Sequence, residues 1–227
     1  MIILIQHDDP HGKVYRDLVL GETHAIEPER SLLEGLIVPV PTPDAVVLGD
    51  DVGHRGASPD EDASSWLQSW SQLGWERFDQ AFRDASETAG NSGTQLVIRP
   101  SSTGMLSDAV CTLNWCTRGA GQGAMLLLDP LGWVVPSMMR DIEDHLDRIT
   151  ELCEQMVAHG RVWGVFMRSV DWNADKSRLV PASVGAGAIN QGMLDEKLRP
   201  LIESARRCVL LDPSDIARIE PGPPIES

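Results

Sequence analysis

From about residue 44 onward, short apolar runs alternate with amphipathic stretches, the pattern left by βα units wound around a parallel sheet. Five runs read as strands: Ala45 to Leu48, Gln95 to Ile98, Met125 to Leu128, Val162 to Met167 and Val209 to Leu211. Each lacks polar alternation and is closely followed by a charged residue, as expected of a strand buried on both faces whose C-terminal end meets solvent or a site. Between them, helical spacing predicts a helix opened by the capping residues Ser58 to Glu61 that carries Trp66, Trp70 and Leu73 on one face, and resumes after Gly74 with Phe78, Ala81, Phe82 and Ala85. A second helix carries Leu106, Val110 and Leu113. A third runs from Ile142 to Val157 with Gly160 as its stop, and a last one carries Leu194, Leu198, Leu201 and Ile202, with Pro200 as a kink or break.

The first 43 residues follow a different pattern. Met1 to Gln6 and Leu36 to Val40 read as strands, but no long amphipathic helix lies between them, and Pro39, Pro41 and Pro43 give an extended stretch. Residues 221–227 read as a disordered tail, leaving 1–220 as a single domain.

Composition narrows the function classes. The chain of 227 residues has 19 basic and 34 acidic side chains, a formal net charge of −15. With no compensating run of Lys and Arg, such a surface argues against nucleic acid and anionic membranes as partners. No apolar run is long enough to span a bilayer and no signal-like stretch opens the chain, so the expected location is cytoplasmic. Four cysteines without a CxxC pair fit reduced thiols rather than a disulfide framework. Seven Trp against three Phe and one Tyr suit either core packing or stacking on a sugar.

The ordered series Gly93 to Pro100, Leu126 to Pro130, Arg161 to Arg168, Gly185 to Ile189 and Cys208 to Pro213 resembles the xylose isomerase-like sugar phosphate isomerase/epimerase family over residues 45–215. The resemblance implies an α/β fold, a TIM-like (β/α) barrel shortened or irregular at the N-terminus, and action on or binding of a small carbohydrate or sugar acid. It also implies a divalent metal, Mn²⁺, Mg²⁺ or Zn²⁺, held at strand C-termini, with Asp129 and Asp212 as metal ligands or acid/base groups. The family's strand-four glutamate falls on Arg99, however, and its strand-six histidine on Phe166. A guanidinium cannot coordinate a cation and repels one. The alternative is therefore a non-catalytic relative that keeps the barrel as a ligand-binding or protein-interaction scaffold.

Several side chains stand out as binding candidates. Arg99 can pair with Asp129 or Asp212 across the barrel mouth, or clamp a ligand's carboxylate or phosphate through its bidentate fork. Arg168, with Asp171 and Trp172 close behind, follows a strand and is placed to contact substrate or to lie in a surface loop. Trp133 is the candidate for stacking on a sugar. His7-Asp8-Asp9-Pro10-His11 and Asp50-Asp51-Val52-Gly53-His54 follow strands and could bring imidazole and carboxylate to the site, His54 among them. Their spacing matches no metal motif, and they read equally as solvated turns. Gly185-Ala-Gly187 has the look of a phosphate-cradling turn. The Trp-rich segment around Trp66 to Trp75 is a candidate homodimer interface.

Overall fold

The computed structural model describes residues 2–9, 12–17, 23–27, 44–50, 70–117, 121–205 and 207–211, with side chains from residue 44 onward. The expected strand Leu36 to Val40, the capping residues Ser58 to Glu61, Trp66, His11, His54, Asp212 and the tail 221–227 lie outside the described residues.

Ten strands and four α-helices follow one another among them. They are β1 (Ile2–Asp9), β2 (Gly12–Asp17), β3 (Thr23–Glu27), β4 (Ala45–Gly49), α1 (Gln72–Asn91), β5 (Gln95–Arg99), α2 (Ala109–Thr117), β6 (Met125–Leu128), α3 (Ile142–Ala158), β7 (Val162–Met167), β8 (Ser169–Trp172), β9 (Leu179–Ala182), α4 (Gln191–Ala205) and β10 (Arg207–Leu210). Eight strands form a closed ring in the order β1-β10-β7-β6-β5-β4-β3-β2, and β8 and β9 make a separate antiparallel pair. Within the ring β2 runs antiparallel to both β1 and β3, and the other neighbours are parallel. The result is an α/β fold whose curled, mainly parallel sheet is backed by helices.

The departure from a regular βα repeat lies where the sequence has no amphipathic helix. Only two residues separate β1 from β2, and so short a link joins strands only in antiparallel sense. That pairing also corrects the placement of the first polar cluster. His7, Asp8 and Asp9 do not follow the strand but belong to it, opposite Val14, Lys13 and Gly12.

Alternation along the strands sorts the apolar residues into two cores. Ala45, Val47, Val97, Leu127, Phe166 and Val209 pack together with Trp163 inside the ring. Val46, Leu48, Leu96, Ile98, Leu126, Leu128, Cys208 and Leu210 face outward against the helices. From α1 this outer core receives Phe78, Ala81, Phe82, Ala85 and Ala89, and from α3 it receives Leu146, Ile149, Cys153 and Met156. Burying a side chain such as Phe78, Phe82, Leu146, Ile149 or Met156 stabilises the fold by about 1.5–3 kcal/mol, so these faces hold the helices in place.

Three helix readings need correcting. α1 starts at Gln72 and runs through Gly74 without a break, because Ser71 caps it by accepting the Gly74 N–H on Oγ at 3.2 Å. Leu73 is consequently 54% exposed, not part of a buried face. In α2 the buried side is Ala109, Thr112, Trp115 and Cys116, and Val110 is exposed. Leu106 lies ahead of that helix, and Trp115 sets its face by packing on Phe78 and Phe82 and donating from Nε1 to Asp79 Oδ1 at 3.0 Å. Of the kink or break expected at Pro200, the break does not occur: α4 continues through it to Ala205, with Leu201 and Ile202 still buried beyond it. No described helix is long and apolar enough to cross a membrane.

Candidate functional site

Strand alternation, carried one step past the strand ends, assembles the site. Arg99 follows the inward Val97 on β5, Asp129 follows the inward Leu127 just past β6, and Arg168 follows the inward Phe166 just past β7. β5, β6 and β7 are neighbours in the ring, so the carboxylate is brought in between two guanidinium groups. Arg99 donates from Nη2 to Asp129 Oδ2 at 3.1 Å. Arg168 donates from Nε to Oδ1 at 2.9 Å and to Oδ2 at 3.0 Å. A third donor to the carboxylate, the Gly132 N–H, reaches Oδ1 at 3.0 Å. The Arg99 guanidinium also lies 4.5 Å over the centre of the Phe166 ring, a cation–π contact.

Burial alone would raise the Asp129 carboxyl; Arg168 and then Arg99 reverse that and hold it below the ordinary carboxylate range. It stays ionised at neutral pH. Of the two pairings the sequence allowed Arg99, the one with Asp129 forms; Asp212 lies outside the described residues.

A second carboxyl enters from β4. Asp50 follows Gly49, which is in register with Arg99, and is 1% exposed. The segment after β5 folds back over it. Asp50 Oδ2 accepts the Leu106 N–H at 2.8 Å and the Ser101 N–H at 3.4 Å, and Oδ1 accepts from Ser101 Oγ at 3.2 Å. Gly104 crosses so close that a Cβ there would overlap the carboxyl group. Burial pushes the Asp50 carboxyl up to about 7 against the lowering effect of these hydrogen bonds. The reading of this stretch as a solvated turn therefore does not hold for Asp50. Asp50 stands at a strand end as Arg99 and Asp129 do, but it has the parity of the outward Val46 and Leu48, so alternation alone does not select it.

These groups line a cavity of about 320 Å³, at the small end of the range for ligand sites. Asp50, Arg99, Asp129 and Arg168 supply its charge, Ser101 and Thr103 its hydroxyls, and Val170, Leu179 and Pro181 of the β8–β9 pair an apolar side. Arg168 uses only Nε on Asp129, and its two terminal amino groups hydrogen-bond no described residue. Among the described lining residues, two arginines stand beside one ionised carboxylate, Asp129, while Asp50 holds its proton.

Other candidates are placed elsewhere. Trp133, expected to stack on a ligand, is buried at 2% exposure and donates from Nε1 to Leu106 O at 2.9 Å, away from the cavity lining. Asp171 and Trp172 lie on β8, where the Asp171 carboxylate accepts the Trp172 N–H. At Gly187 a Cβ would collide with Ser169 Oγ and Val170 O, so this glycine lets the chain pack against β8.

A divalent metal does not fit the described part of this site. Both Asp129 oxygens are taken by guanidinium donors, which repel a cation. Among the described residues no three His, Cys, Asp or Glu side chains gather to hold one.

No family model and no curated protein matches the chain. Among solved structures, it is similar to mannonate dehydratase from Streptococcus suis serotype 2, with 11% identity and a TM-score of 0.44 over 74% of this chain and 55% of that one. It is also similar to a protein from Sinorhizobium meliloti 1021, with 14% identity and a TM-score of 0.43 over 77% of this chain and 57% of that one. The chain spans little more than half the length of either.

Proposed function

We propose that the protein binds a small carbohydrate-derived acid, a sugar acid or sugar phosphate, in the cavity at the ends of β4 to β7. The observation that carries this reading is the pair of arginines fixed on one aspartate, with the terminal amino groups of Arg168 directed to no described residue. A guanidinium edge held in this way is preorganised for a carboxylate or phosphate, because its rotamer is fixed before the ligand arrives. The hydroxyls of Ser101 and Thr103 suit the polyol part of the same molecule. Ligand capture fits the donor set better than metal-dependent isomerisation, since Asp129 is committed to its arginines and is a poor base. A non-catalytic binding protein descended from an isomerase/epimerase-like barrel is the form this reading takes.

Calorimetric titration with gluconate, glucose 6-phosphate and glucose tests it. The two anions should bind and neutral glucose should not. Arg168→Gln should weaken anion binding roughly 30-fold or more, the usual effect of removing one partner of a buried charged contact. Equal binding of glucose, or no binding of either anion, would refute the proposal.

A further inference from the structure

Two carboxyls share the cavity, but they are not equivalent. Asp129 is hydrogen-bonded by two guanidinium groups. The donors on Asp50 are two backbone N–H groups and a serine hydroxyl. A pair of acids whose surroundings differ in this way divides into a fixed charge and a titrating group.

Asp50 is also connected. Ser101 Oγ bonds to Asp50 Oδ1 at 3.2 Å and to Thr103 Oγ1 at 3.2 Å, and in the second contact either hydroxyl can be the donor. Asp50, Ser101 and Thr103 all line the cavity, and Thr103 is the exposed member of the three. A hydroxyl accepts and donates at once, so such a chain can be polarised in either direction.

We propose that Asp50, Ser101 and Thr103 form a proton path between the buried carboxyl at the end of β4 and an acid held by Arg99 and Arg168, making Asp50 rather than Asp129 the group that exchanges a proton with the ligand. The step balances with no further reactant. The Asp50 O–H bond breaks as Ser101 Oγ gains that proton; Ser101 passes its own proton to Thr103; Thr103 passes its own to a ligand oxygen. Asp50 is left as a carboxylate, and the Leu106 and Ser101 N–H groups remain to stabilise it. Burial favours the neutral form and these donors the charged one, so both states are accessible near neutrality, consistent with a carboxyl pushed up to about 7.

Among the described residues, the other charged and titratable groups around Asp50 are Arg99, Asp129 and Arg168 in the cavity, and on the α2 side Asp108 and Cys111. The thiol of Cys111 is pushed up to about 11 by its own burial and by the charges of Asp108 and Asp50. A bound anion adds negative charge and favours protonated Asp50, so an Asp50 that has passed its proton to the ligand regains one from solvent, and binding should draw in a proton at pH 7 and above.

The ligand half of this proposal rests on the anion-binding reading; the Asp50 half does not, and the test separates them. Carboxyl ¹³C NMR of aspartate-labelled protein, with Asp50→Asn to assign the signal, should show Asp50 titrating within about one unit of pH 7. Ser101→Ala removes a donor to the carboxylate and should move that midpoint up. A midpoint below about 5, or one unmoved by Ser101→Ala, overturns the proposal. Gluconate binding is then followed with a pH indicator in a stopped flow. At saturating gluconate the wild type should take up protons on binding, Asp50→Asn should take up none, and Thr103→Ala should slow the uptake. Uptake that persists in Asp50→Asn, or a rate unchanged in Thr103→Ala, also overturns it. If gluconate does not bind at all, the anion-binding reading and the ligand end of the path fall together, and the NMR midpoint decides whether Asp50 is the titrating acid of the cavity.

Discussion

Asp129 accepts hydrogen bonds from Arg99 Nη2, Arg168 Nε and the Gly132 N–H while only 2% exposed. A buried carboxylate with this many charged donors holds its partners as much as they hold it. Removing its charge takes from two guanidinium groups the carboxylate they share in a poorly solvated cavity. Asp129→Asn should therefore destabilise the protein by about 3–5 kcal/mol at pH 7, the usual effect of breaking a buried ion pair from one side. The folded-state carboxyl is held below its unfolded value, so its contribution is present above the ordinary carboxylate range and is lost as pH falls through the folded value. Urea denaturation of both proteins at pH 7 and at about pH 3 checks this, with the gap narrowing at the acid end. A gap that stays the same at both pH values would show that the loss comes from packing rather than charge.

At the level of elements, the strands were legible and the loop over Asp50 was not. Ala45 to Leu48 or Met125 to Leu128 can be recognised because both faces of each strand are buried, one inside the ring and one under helices, so the signal is a continuous apolar run. The same reading brings Arg99, Asp129 and Arg168 to strand ends, and parity alone turns them inward together. Asp50 also stands at a strand end, but its burial is produced by Ser101 and Leu106, 51 and 56 residues away. Nothing local marks it as different from a solvated aspartate. Trp133 was misplaced for a related reason: its destination, a hydrogen bond to Leu106 O, belongs to that same returning segment. Gly104 is where this segment crosses the Asp50 carboxyl, so Gly104→Ala should force the two apart. The expected loss is roughly 1–3 kcal/mol, as for overpacking elsewhere, together with faster hydrogen exchange at the Leu106 amide. An alanine variant with native stability and an unchanged Leu106 amide would mean the loop is not held by Asp50.

Over the whole molecule, the cavity proposed to take an anion sits in a chain with a net charge of −15. The two facts act at different ranges. Arg168 is buried and Arg99 largely so beside the proposed ligand position, and both are screened little by salt, whereas the surface carboxylates repel an approaching anion through solvent, where the Debye length shrinks from about 30 Å at 0.01 M salt to about 8 Å at 0.15 M. Salt should therefore relieve the repulsion felt on approach while leaving the contact inside the cavity nearly intact. The association rate of gluconate is expected to rise severalfold between these two ionic strengths, with the dissociation rate changing less, opposite to the behaviour of a site on a basic surface. The same charge that argued against nucleic acid would then act as a filter, since a polyanion must bring many charges through that field and a monoanion only one. Stopped-flow association measured across that salt range decides the matter: a rate that falls as salt is added would place the binding site on a locally positive face and not in the cavity between β4 and β7.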